Sequence, residues 1–335
     1  MSDALGAAAM SHPREIGKTA MLKNFKVLCL IAAAGTALVS CNKEEVIPDI
    51  PAPEPPAEGT SVFQTNVFEY MPAPGQFVGE PEILWNADAE TARQWAQERL
   101  AARNYVSLGS FGGYIVVGFD HHIRPRGGAL YDFAVEGNAF LSETGSSNEP
   151  GVVWVMQDTN GNGQPDDVWY QLKGSEYGTS TERINFSVTY TRPEGEGMDV
   201  PWTDSDGKTG VVKYLPSFHK QPYYYPAWAA ASYTLSGTCL RPRNAETSGG
   251  YWSNEPYDWG YADNCGSDSF SLAVDGKEGR FTGFRISNAV DAQGNPAGLS
   301  YIDFVKVQSA VLASNAMIGE VSTEVLSFVD LSLVK

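Results

Sequence analysis

The chain has 335 residues, with 23 Lys or Arg against 40 Asp or Glu, and its formal net charge is −17. Such acidity argues against nucleic-acid binding, because no basic surface is available to neutralise phosphates. Four Cys and four His are too few for an iron–sulfur or multi-zinc protein, and 34 Gly, 20 Pro and 12% aromatic residues favour a turn-rich β protein over a helical bundle.

An export signal is predicted near the N-terminus. It begins best at Met21 and carries two lysines before an apolar run over residues 27–39, which is shorter than the roughly 20 residues of a membrane span. The run ends in Leu38-Val39-Ser40-Cys41, which resembles the lipobox of bacterial lipoproteins. The resemblance implies a leader and signal peptide over residues 1–40 and lipidation of Cys41. The alternative is an ordinary buried helix with a chance cysteine.

A tether is predicted over residues 41–60. Asn42-Lys43-Glu44-Glu45 resembles the surface-export signal of lipoproteins in the Bacteroidota, although a charged tether alone would have the same composition. Five prolines follow within residues 46–58, and this composition favours an extended polyproline II spacer without a core of its own. The expected location is the outer membrane, lipid-anchored and exposed at the cell surface.

One short helix is predicted over residues 89–103. Asp88 is a suitable N-cap, Glu90 lies in the first turn, and two arginines lie near the C-terminal end. One face of this helix carries its apolar side chains, which are those of Ala92, Trp95, Ala96 and Leu100. The helix should therefore cover one edge or end of the sheets.

The rest of the chain predicts strands. Runs rich in β-branched and aromatic residues, bounded by Gly, Pro, Asn or Asp, occur at residues 114–119, 151–156, 185–190, 270–274, 281–286 and 301–307. Strands and helices do not alternate, which argues against a parallel α/β sheet. We therefore predict one all-β domain over residues 61–335, a two-sheet β-sandwich of jelly-roll type with one short covering helix.

Several of these segments together resemble a known family. The runs over residues 108–120, 131–140, 149–155, 301–308 and 319–325 are similar to a jelly-roll domain found in secreted and surface lipoproteins of the Bacteroidota, which are known mostly as cell-surface proteins. The resemblance implies a sandwich fold and an exported setting, and it brings no established activity. Some relatives lie beside outer-membrane uptake systems, including those for cobalamin, so the resemblance implies an outer-membrane transporter as a candidate partner.

The sharpest chemical motif is Asp158-Thr-Asn-Gly-Asn-Gly-Gln-Pro-Asp-Asp-Val-Trp169. Oxygen ligands at alternate positions of a tight loop point inward, which is the spacing of Ca²⁺ loops. The motif resembles the EF-hand-like loops of dockerins and thrombospondin type 3 repeats, but Trp169 replaces their final bidentate acid. The predicted ligands of a structural Ca²⁺ are Asp158, Asn160, Asn162, Gln164, Asp166 and Asp167. The alternative is a plain Asn-Gly hairpin between residues 152–157 and 168–172, and both interpretations can hold together.

Two later loops, over residues 218–228 and 251–261, are rich in aromatic residues. Exposed rigid rings can stack on sugars or flat cofactors. The predicted ligand-binding residues are Tyr223, Tyr225, Trp228, Trp252, Tyr257 and Trp259. The alternative is that these rings pack over the open ends of the sandwich. Cys239 and Cys265 are either a disulfide that closes the second loop or two free buried thiols.

Motifs of enzymes are sparse. The chain has no Gly-x-Ser-x-Gly, no His-Glu-x-x-His and no phosphate-binding glycine loop. Glu136 and Glu149 could be structural residues or metal ligands, and His121 and His122 would face opposite sides of a strand. We therefore expect a non-catalytic surface lipoprotein that captures a glycan or a cofactor such as cobalamin for nutrient uptake. A structural or adhesive protein is the alternative, followed by a glycoside hydrolase.

Overall fold

A computed structural model describes residues 59–335, with the exception of residues 218, 248, 316 and 317. Among these residues, no helix has both the length and the apolar character needed to cross a membrane. The predicted leader over residues 1–40, the lipidation site Cys41 and most of the tether lie outside the described residues.

The predicted helix is confirmed as α1, Ala89–Ala101. The Asp88 carboxylate accepts a hydrogen bond of 2.8 Å from the Thr91 N–H, so it caps the first turn as expected. Ala92, Ala96 and Leu100 are buried against the main core. Two single-turn 3₁₀ helices lie at Glu82–Leu84 and Ile286–Asn288.

The remaining elements are strands. In chain order they are β1 Asn66–Met71, β2 Val106–Ser107, β3 Tyr114–Ile123, β4 Phe133–Gly137, β5 Gly151–Met156, β6 Trp169–Leu172, β7 Glu182–Thr191, β8 Val200–Asp204, β9 Thr209–Val212, β10 Ser232–Leu240, β11 Asn244–Glu246, β12 Trp252–Asn254, β13 Ser269–Val274, β14 Lys277–Phe284, β15 Ala289–Val290, β16 Ile302–Ser309, β17 Ser314–Asn315, β18 Gly319–Glu320, β19 Glu324–Val325 and β20 Ser327–Asp330. Each of the six predicted runs overlaps one of these strands.

The strands form antiparallel sheets. A six-stranded sheet has the order β1-β3-β16-β5-β6-β15, and a four-stranded sheet has the order β13-β14-β4-β20. A second four-stranded sheet has the order β10-β7-β8-β9, and three two-stranded ribbons complete the described part of the chain. The all-β class is therefore confirmed. Neighbours such as β3 and β16 are distant in sequence, so most of the pairing is non-local.

The main core lies between the six-stranded sheet and the first four-stranded sheet. Ile115, Val155 and Val305 from the former and Val135 and Phe328 from the latter belong to one buried apolar cluster. Because side chains alternate between the faces of a strand, each sheet contributes every second residue to this cluster. This packing is that of a β-sandwich, with α1 covering its edge at β1.

A second apolar cluster lies under the sheet that contains β7. Phe111, Phe186, Tyr190, Val200 and Tyr225 are among its buried members. The Tyr190 hydroxyl donates a 2.8 Å hydrogen bond to the Phe111 carbonyl, which satisfies a polar group inside this cluster.

The segment that precedes β1 is hydrogen-bonded to both sheets of the sandwich. The Gln64 N–H donates to the carbonyl of Phe328 in β20 at 3.1 Å, and the Thr65 N–H donates to the carbonyl of Gly118 in β3 at 2.9 Å. The Gln64 side-chain oxygen accepts a further bond of 2.8 Å from the Phe328 N–H. Two consecutive residues therefore connect the two sheets.

Candidate functional site

The predicted calcium loop connects β5 and β6, which pair in antiparallel register with Trp154 opposite Gln171. The hairpin interpretation is therefore confirmed. The Asp158 carboxylate accepts bonds from the N–H groups of Gly161 at 2.7 Å and Gly163 at 2.8 Å. Glycine at both positions is explained by positive φ angles of 69° and 68°.

The other predicted ligands line the same loop. The Asn160 and Asn162 side-chain oxygens accept backbone N–H groups at 2.9 Å and 2.7 Å, and both amide nitrogens donate to the Asp166 carboxylate. The Gln164 carbonyl accepts the Asp166 N–H at 2.9 Å. Asp167 accepts two hydrogen bonds from Thr159, and these lower its pKa. The loop brings Asp158, Asn160, Asn162 and Asp166 together, and calcium binding stays a prediction.

Two of the six predicted ligand-binding aromatics belong to the core. Tyr225 and Tyr257 are each only 2% exposed, and each hydroxyl donates to a backbone carbonyl. The guanidinium carbons of Arg192 and Arg243 lie 4.6 Å and 4.3 Å from the respective ring centroids. These rings are therefore covered, and their assignment as stacking residues is wrong.

The remaining aromatics are partly exposed and lie in different surroundings. Trp228 packs against the main core, with its ring centroid 5.9 Å from that of Tyr70. Trp252 lies in β12 opposite Glu246, and Tyr223 lies in a loop. Trp259 differs from these, because it lines a cavity of about 340 Å³. The six residues therefore do not form one binding platform.

We call this space the Trp259 cavity, after Trp259 and the lining residues Tyr131, Asp268 and Arg285. The Tyr131 ring lies flat against Gly283, where an added Cβ would come within 2.5 Å of the ring. The Arg285 guanidinium carbon is 4.4 Å from the centroid of that ring. One wall of the cavity is thus a tyrosine ring with an arginine stacked on it.

Two polar atoms at this cavity are unused by the described part of the protein. Asp268 accepts the Gly260 N–H through Oδ2 at 2.6 Å, while its buried Oδ1 has no hydrogen-bond partner among the described residues. Nε of Arg285 is also buried and has no hydrogen-bond partner among the described residues. Burial raises the pKa of Asp268 to about 6. An acceptor and a donor therefore lie beside the aromatic wall with their bonding capacity free.

Cys239 and Cys265 are both free, buried thiols. The prediction of a disulfide is therefore wrong, and the alternative of two free thiols is confirmed. Cys239 belongs to the apolar cluster under β7, whereas the next residue, Leu240, packs with Tyr257 and Tyr261 of the second aromatic loop. Adjacent residues of a strand point to opposite faces. Cys239 therefore points away from the loop that precedes Cys265.

The paired histidines face opposite sides of β3, as expected. His121 contacts the carboxylates of Asp120 and Asp330, each at 2.8 Å, whereas His122 contacts Asp303 at 2.5 Å. They therefore do not chelate jointly.

A second cavity, of about 360 Å³, carries an unusual number of acids. We call it the acidic cavity, defined by Glu149 before β5, Glu320 in β18, Glu324 in β19, and the side chains of Tyr105 and His219. Burial raises the pKa of Glu149 to about 8 and that of Glu320 to about 7. Burial and the charges of neighbouring acids raise the pKa of Glu324 well above its usual range.

Behind this cavity lies Asp263, which is buried and has a left-handed backbone with φ of 53°. Its Oδ1 accepts the N–H groups of Asn138 and Ala139, and its Oδ2 accepts the Glu324 N–H at 3.0 Å. Burial raises its pKa to about 7. One carboxylate oxygen from each of Glu149, Asp263 and Glu324 lies within 4.8 Å of the others.

Sequence reasoning singled out Glu149 at this site and missed Asp263, Glu320 and Glu324. A signal existed, since Glu320 and Glu324 stand within the motif-like run over residues 319–325. The other acid singled out, Glu136, is structural, because it is paired with Arg103 in the interior.

The sheets and the core between them define an all-β sandwich protein. No protein-family model matches the chain. A search of curated proteins also finds no match.

Proposed function

We propose that this protein is a non-catalytic lipoprotein of the outer membrane, anchored through Cys41, that captures an extracellular ligand at the cell surface. The lipobox-like sequence and the following charged tether support the anchored location. The all-β body supports a binding module carried on that anchor. Radiolabelled palmitate should be incorporated into the full chain and lost in Cys41→Ala, whereas equal labelling of both proteins would refute the anchor.

The Trp259 cavity is the proposed binding site. One observation carries this proposal. Two buried atoms, Asp268 Oδ1 and Arg285 Nε, have no hydrogen-bond partner among the described residues, and both residues line the cavity together with Tyr131 and Trp259. Ligand pockets combine apolar or aromatic walls with a few fixed polar groups. A sugar offers an apolar face for a ring, and its hydroxyl groups can both donate and accept.

The size of the cavity favours a glycan over a large cofactor. Ligand pockets typically measure about 300–1,000 Å³, and the Trp259 cavity, at about 340 Å³, lies at the low end of that range. It has room for one sugar unit, and a corrin ring system is much larger. A glycan is therefore the proposed ligand class.

Glycan arrays followed by calorimetry on the full chain test this proposal. Trp259→Ala and Asp268→Asn should each weaken binding at least tenfold, because one removes a stacking ring and the other a charged acceptor. Trp252→Ala is the matched control, since Trp252 lies outside this cavity, and it should bind normally. Absence of saturable glycan binding, or equal effects of Trp252→Ala and Trp259→Ala, would refute the proposed site.

The hairpin loop between β5 and β6 is the proposed structural Ca²⁺ site. The convergence of Asp158, Asn160, Asn162 and Asp166 oxygens in one tight turn supports it, because Ca²⁺ prefers such oxygen donors. Thermal melting with Ca²⁺ and with EGTA tests it. Ca²⁺ should raise the Tm of the wild type by more than that of Asp158→Ala, and equal Ca²⁺ responses of the two proteins would refute the loop site.

A further inference from the structure

We propose that Glu149, Asp263 and Glu324 form a second, separate site for a hard divalent cation at the inner end of the acidic cavity. This site shares no residue with the hairpin loop or with the Trp259 cavity. It would join three segments of the chain that are far apart in sequence.

The donor geometry fits one ion. One carboxylate oxygen from each of the three residues lies within 4.8 Å of the other two. Oxygen atoms on opposite sides of an ion with bonds of about 2.3–2.6 Å are about 4.6–5.2 Å apart. The three oxygens can therefore share one cation of the size of Ca²⁺.

An unpaired buried atom points independently to a ligand. Glu324 is only 2% exposed, and its Oε1 has no hydrogen-bond partner in the described part of the chain. Oε2 of Glu320, which lines the same cavity, is also buried and unpaired there. An uncompensated buried carboxylate oxygen is costly. A cation at the cluster would be bound by the Glu324 carboxylate, which carries this unpaired oxygen.

The cluster also lacks a counter-charge. Among the described residues, no Lys, Arg or His forms an ion pair with Glu149, Asp263, Glu320 or Glu324. By contrast, the buried acid Glu136 is paired with an arginine. Buried charges in proteins are usually paired or bound to metals. A divalent cation would supply the missing positive charge.

Backbone groups hold the carboxylates in place. The Asp263 carboxylate accepts three N–H groups, and the Glu149 Oε1 accepts the Ser322 N–H at 3.1 Å. Such outer contacts orient metal ligands. All donors are oxygens, which favours Ca²⁺, Mg²⁺ or Mn²⁺ over softer metals. Glu149 and Glu324 line the cavity, which gives the ion a path of entry and space for bound water.

The test uses the full chain with Asp158→Ala, which removes the first predicted ligand of the hairpin loop. After treatment with EDTA, this parent protein is titrated with CaCl₂ and with MnCl₂ by calorimetry, and its Tm is recorded with and without each ion. We expect one equivalent of at least one of these ions to bind and to raise the Tm.

Adding Glu324→Gln or Glu149→Gln should weaken that binding at least tenfold and remove the rise in Tm. Glu324→Gln in EDTA should melt no lower than the parent, because glutamine keeps the shape of the side chain and cannot become a buried negative charge. Glu80→Gln is the matched control on an exposed acid near His219, and it should bind like the parent.

Three results would overturn the proposal. The first is a parent that binds neither ion, which would mean that protonation alone neutralises the cluster. The second is binding of parent affinity in both Glu→Gln variants of the cluster. The third is equal loss of binding in Glu80→Gln, which would indicate a diffuse acidic surface.

Discussion

Removal of the buried guanidinium of Arg103 should destabilise the sandwich strongly. The Arg103 Nε and Nη2 atoms donate to the two carboxylate oxygens of Glu136 at 2.9 Å and 2.7 Å. Nη1 donates to the carbonyls of Val274 and Lys277, both at 2.9 Å. Arg103 is 7% exposed and Glu136 is 2% exposed, so solvent cannot replace these contacts.

The expected loss follows from the charge left behind. Arg103→Met leaves a buried carboxylate without its cation, and breaking such a pair typically costs about 3–5 kcal/mol. For a domain of this size, each kcal/mol changes the Tm by about 2–4 °C, so the Tm should fall by roughly 6–20 °C. Urea unfolding followed by tryptophan fluorescence measures the free energy of unfolding directly.

A second substitution separates charge from packing. Arg103→Met combined with Glu136→Gln should be more stable than Arg103→Met alone, because the double variant no longer buries an unpaired charge. Arg93→Met, which breaks the exposed pair with Glu90, should change stability little. A double variant that is less stable than Arg103→Met, or a loss below about 1 kcal/mol in Arg103→Met, would refute the reasoning.

Three further predictions concern buried polar groups. The pKa of Asp268 is raised from 3.8 to about 6 by burial, so the folded state keeps its proton to higher pH and stability falls as the pH rises from 4 to 6. Relative to the wild type, the free energy of unfolding of Asp268→Asn should rise by about 2 kcal/mol between pH 4 and pH 6 in urea unfolding, and parallel pH profiles would contradict the shift. Tyr190→Phe leaves a buried carbonyl unpaired and should cost about 1–3 kcal/mol, whereas the exposed Tyr251→Phe should cost almost nothing; equal Tm values of the two variants would contradict this. Iodoacetamide at pH 8 should label Cys239 and Cys265 only after denaturation, because both are buried and burial raises the pKa of Cys239 to about 11. Peptide mass spectrometry that finds either of these two cysteines labelled in the native protein would refute it.

The features that sequence reasoning predicted well are local ones. The helix is set by its cap, since Asp88 and Thr91 are three residues apart, and by an apolar face that repeats at helical spacing. The β5–β6 hairpin is visible as two apolar runs on either side of a polar loop that contains glycine. The strands are visible because their β-branched and aromatic runs end at Gly, Pro, Asn or Asp.

The features that were missed depend on contacts between distant segments. The Asp263 Oδ2 and the Glu324 N–H are 61 residues apart in sequence, and no local pattern brings them together. The prediction of a disulfide was wrong for a related reason. The side of β10 to which Cys239 points is decided by packing against distant segments. Likewise, the aromatic composition of a loop does not reveal that Tyr257 is covered by Arg243.

The attachment of the segment before β1 has a mechanical consequence. The hydrogen bonds of Gln64 and Thr65 reach β20 and β3, which belong to opposite sheets of the sandwich. A pulling force applied to the N-terminal side of Gln64 is therefore divided between both sheets. The two sheets resist the load together, so the strands nearest the N-terminus cannot be peeled off one at a time. A load applied at that end would be borne by both sheets of the sandwich.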